Sequence, residues 1–168
     1  MSSENFAEKQ AKLQGLESGL PTSEQLYEIF GKVLAKWAYL PSEYAGIQAG
    51  PSAVLSLEQG VYLTGAFKGT LVVRADAAIG QLLVEAALGD ASDADSAADS
   101  FREIINVFCG HFLTTCWRSI SFGSFLPVPI SRPSWPAEEP SVSCLVSVEG
   151  RPLEIRFWID SSDRKKSA

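Results

Sequence analysis

The most informative segment of the chain, residues 97–117, reads AADSFREIINVFCGHFLTTCW. Its apolar side chains recur every three or four residues, at Phe101, Ile104, Ile105, Phe108 and Phe112. This is the spacing of one face of an α-helix, and an apolar face of this kind packs against a core. The segment therefore predicts a long helix over residues 97–117 with one aromatic and isoleucine face turned inwards.

The opposite face of this predicted helix is polar. It carries Asp99, Glu103, Asn106 and Gly110, whose separations of 4, 3 and 4 residues place them on one side of a helix. A carboxylate accepts hydrogen bonds from a cation, whereas a carboxamide both donates and accepts and can hold a water molecule in a fixed orientation. Two interpretations are open: a functional site, or the ordinary hydrated face of a core helix.

Two further helices are predicted before this one. Thr22 or Ser23 can cap a helix over residues 22–39, and Asp76 can cap another over 76–88. The apolar positions of the first of these helices are Leu26, Ile29, Phe30, Val33, Leu34 and Trp37. We expect Trp37, Trp117 and Trp158 to belong to the core. For Trp135, which lies among prolines, two roles are open: a contact residue, or a cap on the sheet.

Six short strands complete the predicted fold. They span residues 54–57, 61–64, 70–73, 125–130, 142–148 and 153–159. β-Branched and aromatic runs separated by glycine turns favour antiparallel hairpins. The order of helix, three strands, two helices and three strands predicts an α+β fold with a mostly antiparallel six-stranded sheet, helices packed on it, and two halves that form a pseudo-repeat.

The length of 168 residues predicts one domain, which we place at residues 22–160 between a polar N-terminal lead (1–21) and a polar tail (161–168). The net charge of −6 argues against a nucleic-acid partner, which requires a basic face. Three cysteines and a single histidine, His111, argue against a disulfide framework and a histidine-rich metal site. No basic and apolar leader and no membrane span stand out, which predicts a cytoplasmic protein.

The residues of the polar face belong to a longer sequence pattern. The pattern Asp99-x3-Glu103-x2-Asn106, followed after 22 residues by Pro129, resembles the signature of the CheC/CheX/FliY family of chemotaxis phosphatases. Residues 103–110 are similar to that family's Glu-x2-Asn-x3-Gly helix, which here ends at Gly110. The resemblance extends over about residues 22–160 and includes the order of the predicted helices and strands.

This resemblance implies a function. Members of the family hydrolyse the aspartyl phosphate of a CheY-type receiver domain, using water as the nucleophile and a magnesium ion that belongs to the receiver. Carried over, Asn106 would orient the water and Glu103 would pair with a receiver lysine. Asp99 would support this face or the helix start, Gly110 would belong to the partner-binding face, and Pro129 would shape the supporting strand. No cofactor or metal of the chain's own is implied.

The other helix of the pseudo-repeat, predicted at 22–39, carries Glu28 but has Gly31 where an asparagine would be needed. One complete motif is more similar to CheX than to CheC, and CheX-type proteins tend to be dimers, so a homodimer is expected. The sequence departs from the family pattern in the bulky pair His111 and Phe112 after the glycine, in the lead at 1–21 and in the loop at 131–140. The alternatives are a non-catalytic module that docks receivers or motor proteins, and an unrelated α+β structural subunit with a merely hydrated helix face.

Overall fold

A computed structural model of the chain describes residues 20–50, 52–64, 67–88, 94–117, 124–128 and 136–160. The predicted polar tail lies outside these residues, as does nearly all of the predicted lead. Trp135 and Pro129 also lie outside them. The domain limits and the predictions for these two residues therefore remain predictions.

Three α-helices occur in the described part of the chain: α1 (Ser23–Val33), α2 (Ala77–Leu88) and α3 (Ala94–Cys116). Thr22 caps α1, since its hydroxyl accepts from the Gln25 backbone N–H at 3.2 Å and the Gln25 side chain accepts in return from the Thr22 N–H at 2.9 Å. Asp76 caps α2 by accepting from the Ala78 N–H at 2.8 Å. These are the three predicted helices, although α3 begins three residues earlier than expected.

The end of the first predicted helix differs from expectation. After Val33 the chain continues as a π-helical turn, Leu34–Ala38, and stops at Tyr39, whose backbone is left-handed with φ of 53°. A π-helical turn changes which side chains face the core, because it holds more residues per turn than an α-helix. Trp37 is consequently 55% exposed, so its prediction as a core residue is wrong, whereas Trp117 and Trp158 are buried as expected.

The strands form one six-stranded sheet in the order β1-β5-β6-β3-β2-β4, and every neighbouring pair is antiparallel. The strands are β1 (Ser42–Gly46), β2 (Leu57–Thr64), β3 (Gly69–Ala75), β4 (Ser124–Val128), β5 (Val142–Val148) and β6 (Arg151–Ile159). The predicted α+β class and six-stranded antiparallel sheet are confirmed.

Two details of the strand prediction are wrong. The predicted turn at residues 59–60 lies inside β2, where Gly60 pairs with Val72 on one side and Val128 on the other. Residues 54–57 therefore form no separate strand, and Val54 is 72% exposed. The sixth strand is instead β1, a polar edge strand that the sequence analysis missed.

The predicted pseudo-repeat is present in the topology. Exchanging β1 with β4, β2 with β5 and β3 with β6 reproduces the strand order from the opposite end of the sheet. The first strand of each half therefore pairs with the hairpin of the other half: β1 pairs with β5, and β4 pairs with β2. Helices α1 and α3 precede equivalent sets of three strands, which makes them equivalent elements of the two halves.

The core lies between the helices and one face of the sheet. The Phe30 ring of α1 meets the Phe108 ring of α3 edge-to-face, with centroids 5.0 Å apart, and Phe112 of α3 meets Phe157 of β6 at 5.1 Å. All five residues of the predicted α3 stripe are buried. Because this stripe is fixed against the sheet, the opposite side of α3 must face outwards.

The other face of the sheet holds a buried charge. Glu154 on β6 is 1% exposed, and one carboxylate oxygen lies 2.7 Å from Nε of Arg156. The second oxygen accepts from the backbone N–H of Ala49 at 2.8 Å, which ties the segment after β1 to the sheet. A buried carboxylate of this kind needs its cation, because desolvation strongly disfavours an unpaired charge.

We expect Arg156→Met to lower the free energy of unfolding by about 2–3 kcal/mol, because it leaves the Glu154 carboxylate buried with one backbone donor. The value lies below that of a fully buried pair, since the Arg156 side chain is 30% exposed. Urea denaturation measures the change. The matched control is Arg102→Met, which breaks an exposed pair with Asp99 on α3 and should cost at most about 0.5 kcal/mol. Equal losses in the two variants would contradict this account.

Candidate functional site

The candidate site is the outward face of α3, which carries all four helical residues of the sequence pattern. Asp99 and Glu103 are exposed, and Asn106 and Gly110 are half-buried. The helix positions them because its opposite stripe is locked into the core. Their shared face is thus the one predicted from the sequence, and it is open to a partner in the described part of the molecule.

Asp99 has a local partner. Its Oδ1 lies 3.1 Å from Nη2 of Arg102, three residues further along the helix, and both side chains are well exposed. An exposed pair of this type contributes little stability. Since α3 begins at Ala94, Asp99 lies in its second turn, beyond the reach of the helix-start dipole. The predicted alternative role at the helix start is therefore wrong, and a supporting role on this face stays a prediction.

Glu103 and Asn106 have unused hydrogen-bonding capacity. Among the described residues the Glu103 carboxylate has no ion pair or hydrogen bond. The Oδ1 atom of Asn106 is buried and likewise lacks a partner within that part of the chain. A buried amide oxygen without a partner costs about 1–3 kcal/mol, and such groups in folded proteins call for an explanation. A ligand or water that meets this amide would remove that cost.

Gly110 lies one turn beyond Asn106 on the same face. No described atom comes within 4 Å of the position that a Cβ would occupy there. One turn further on, the Thr114 hydroxyl donates to the Gly110 carbonyl oxygen at 3.0 Å and approaches that of His111 at 3.2 Å. The exposed Thr114 side chain is therefore bonded back onto its own helix.

The strand that leads to Pro129 is β4. It forms one edge of the sheet and pairs with β2, where Pro127 lies opposite Val61. A proline, which has no N–H group, is tolerated at an edge because one side of the strand has no partner. Pro129 itself lies outside the described residues, and its supporting role stays a prediction.

The equivalent face of α1 lacks the amide. Glu28 is exposed there, and Gly31 occupies the position three residues later. A Cβ at Gly31 would lie 3.3 Å from Oγ of Ser42 and 3.4 Å from the Tyr27 ring. Gly31 is therefore explained by contacts within the chain, and only α3 combines a glutamate with an asparagine among the two equivalent helices.

A groove that the sequence analysis missed lies between α1 and α3. It has a volume of about 190 Å³ and is lined by Ile29, Lys32, Val33, Lys36, Trp37, His111 and Thr115. The Lys36 ammonium lies 5.7 Å from the centre of the Trp37 ring. Of the two bulky residues that follow Gly110, only His111 reaches this surface, because Phe112 is fully buried. The spacing of Lys32 and Lys36 was a signal for a basic strip, but the exposure of Trp37 was not predictable from it.

The cysteines are not candidate nucleophiles. Burial raises the pKa of the Cys109 thiol to about 12, and burial together with the charge of Glu154 raises the pKa of Cys144 to about 12. Both residues are inaccessible to solvent. Since the thiolate is the reactive form, these thiols are inert near neutral pH. Cys109 and Cys144 are therefore packing residues of the core.

The buried thiols predict an alkaline loss of stability. An unfolded thiol titrates near pH 9, whereas Cys109 and Cys144 keep their protons to about pH 12 in the fold. Between these values the unfolded state binds fewer protons, so the free energy of unfolding falls as pH rises, by at most about 1.4 kcal/mol per pH unit for each thiol. Urea denaturation from pH 8 to about 11 should show Cys109→Ala flattening this fall by up to that amount. An unchanged slope would contradict the prediction.

Among the described residues no group of three or more His, Cys, Asp or Glu side chains could hold a metal ion. Within the same part of the chain no helix is long and apolar enough to cross a membrane.

No family model and no curated protein sequence matches the chain. Its fold, however, matches solved structures. The chemotaxis protein CheX from Desulfovibrio desulfuricans aligns with a TM-score of 0.63 and 16% identity, over 80% of this chain and 96% of that one. The CheX–CheY–BeF3–Mg²⁺ complex from Borrelia burgdorferi aligns at 0.56 with 17% identity, over 80% and 94%. The FliM middle domain from Vibrio alginolyticus aligns at 0.53 with 14% identity, over 88% and 98%.

These likenesses show the fold. The protein has the α+β fold shared by CheX and the FliM middle domain, and it spans nearly the whole length of those chains. Three of the solved structures that it matches are CheX proteins, from Desulfovibrio, Borrelia and Vibrio. The resemblance predicted from the α3 sequence and the order of elements is thus confirmed at the level of the fold.

Proposed function

We propose that the protein is a CheX-like phosphatase that hydrolyses the aspartyl phosphate of a CheY-type receiver domain. One observation carries the proposal: one face of α3 holds, one turn apart, the exposed Glu103 carboxylate and the half-buried Asn106 amide, whose buried Oδ1 has no partner among the described residues. The matched CheX fold in a complex with CheY, BeF3 and Mg²⁺ supports the choice of partner. Magnesium would be held by the receiver.

Hydrolysis of the receiver's aspartyl phosphate requires few catalytic groups from the phosphatase. Water attacks the phosphorus atom, the bond from phosphorus to the aspartyl oxygen breaks, and the products are a carboxylate and inorganic phosphate. An acyl phosphate is already activated, so orientation of the water is the main contribution that a second protein can make. A hundredfold acceleration corresponds to about 2.7 kcal/mol, which lies within reach of one well-placed amide.

The two side chains have complementary tasks. Glu103 is exposed and would pair with a receiver lysine, which fixes the position of α3 over the phosphoryl group. Asn106 carries both a donor and an acceptor on a short side chain, and rotation of its amide presents either atom to a water molecule. No cysteine or histidine step is needed, which agrees with the buried state of Cys109 and with the position of His111 about 12 Å along the helix from Glu103.

The second candidate is a non-catalytic docking module of the same fold. The groove beside Trp37 and His111 favours it, because Trp37 is exposed there and tryptophan is enriched among the residues that dominate protein contacts. Receiver binding and phosphate release, measured on the same samples, separate the two functions. Binding with accelerated release supports the phosphatase, and binding without it supports the docking module. The expected homodimer is a separate proposal, tested by analytical ultracentrifugation.

A further inference from the structure

Three glycines lie inside the helices of the described chain, and two of them are explained by packing. A Cβ at Gly31 would meet Ser42 Oγ at 3.3 Å, and a Cβ at Gly80 would meet Leu57 Cδ1 at 2.8 Å. Gly110 differs, because open space surrounds its Cβ position as far as the described residues extend. Glycine destabilises a helix interior relative to alanine. Gly110 therefore weakens α3 without making room for another part of the described chain.

Asn106, Gly110 and Thr114 lie one turn apart along one side of α3, and we call the stretch of bare helix backbone at Gly110 between the other two the Gly110 notch. On its far side is the exposed Thr114, whose hydroxyl donates back to the Gly110 carbonyl oxygen. Its near side is the half-buried Asn106. The helix backbone is thus the outermost surface at Gly110, in the middle of the face that carries Glu103.

We propose that the main chain of the partner crosses α3 at the Gly110 notch, in van der Waals contact with the helix backbone. The inference rests on the proposed function, and its occupant is the receiver domain that docks over Glu103 and Asn106. Asparagine has one methylene group between its Cα and its amide. It can reach a phosphoryl group inside a receiver only if the helix itself approaches closely, and a side chain at position 110, one turn away, would hold the helix off.

This contact would determine how well the receiver binds rather than how fast the bound phosphoryl group is hydrolysed. Glu103 lies one turn before Asn106 and supplies a charge contact, whereas Gly110 lies one turn after it and supplies a steric one. The partner segment must offer backbone or a small side chain at this point, because any added atom at Gly110 occupies the same space. Gly110 is therefore a positioning residue, and its loss should act mainly on complex formation.

The test uses Gly110→Ala and Gly110→Leu in the full chain. Alanine should raise the thermal midpoint by about 2–4 °C, because it favours the helix and meets no described neighbour. It should also raise KM for the phosphorylated receiver about tenfold with a smaller effect on kcat, and leucine should raise KM at least about a hundredfold. The matched control is Gly31→Ala, which makes the same substitution inside α1 and should leave KM unchanged, because the Gly31 Cβ position faces Ser42 and Tyr27 within the chain.

Four results would overturn the inference. A lower midpoint for Gly110→Ala would show that the fold itself needs the glycine. A wild-type KM for both Gly110 variants would show that the receiver does not touch the notch, although the phosphatase stands. A wild-type protein that dephosphorylates no receiver removes the proposed function and this inference with it. A dimer that dissociates in Gly110→Leu but not in Gly31→Ala would assign the notch to a second copy of the chain.

Discussion

Replacing Asn106 by alanine is expected to lower the rate of phosphate loss from the saturated receiver complex by at least about 100-fold. The amide lies one turn from Glu103 and can both donate to and accept from a water molecule. Removing it leaves the apolar stripe untouched, and it also removes an amide oxygen that has no partner in the described chain. Rates measured under receiver saturation isolate this chemical step from binding.

The affinity for the receiver should change much less than the rate, by no more than about threefold, because Glu103 and the rest of the face remain. His111→Ala is the control: it changes an exposed side chain on α3 that the mechanism does not use, and it should keep wild-type turnover. Full activity of Asn106→Ala would contradict the water-orienting role. Loss of activity in both variants would indicate damage to the helix rather than to a site.

Reversing the charge of Glu103, as Glu103→Lys, is expected to raise the Kd for the receiver at least about 30-fold. The carboxylate is exposed and unpaired among the described residues, so it is available to a cation on the partner. A lysine there would face a receiver lysine with like charge. The loss should shrink as salt is raised, since ions screen exposed charges, and calorimetry at two ionic strengths measures both effects.

The pseudo-repeat offers a matched control for this substitution. Glu28 occupies the equivalent position on α1, is also exposed, and is followed three residues later by Gly31 rather than by an asparagine. Glu28→Lys makes the same change in net charge and should alter the Kd by no more than about threefold. Equal losses in the two variants would show that net charge steers the partner, and that Glu103 makes no specific contact.

The helices were predictable because their apolar stripes repeat with the helical period. Phe101, Ile105 and Phe108 lie on one face wherever the helix sits, so burial of that face and exposure of Glu103 follow from the spacing alone. The strand order was not predictable in this way, because the exchange of β1 and β4 between the two halves depends on long-range pairing.

The errors have local causes. Gly60 suggested a turn, but β2 lies between two strands, and a glycine in a central strand does not end it. Strand β1 went unnoticed because most of its residues are exposed, which removes the alternation that marks a strand. Trp37 fits the α-helical stripe, and only the change to a π-helical turn at Leu34 carries it to the surface.

The residues of the candidate site were predictable from the sequence, but their hydrogen-bond partners and packing neighbours were not. The sequence placed Glu103, Asn106 and Gly110 on one face, because a helix fixes that geometry. Whether the Asn106 amide has a partner and whether Gly110 has a neighbour depend on tertiary packing, which no spacing encodes. These two observations support the proposed recognition face on α3.

The central claim is that the protein dephosphorylates a receiver domain and that the outward face of α3 is the site. The most direct test is the time course of phosphate loss from each phosphorylated receiver of the host, with the wild-type protein, with Asn106→Ala and with no addition. The account predicts that at least one receiver loses phosphate at least about tenfold faster with the wild-type protein and at its intrinsic rate with Asn106→Ala. Intrinsic rates for every receiver in the presence of the wild-type protein would contradict it.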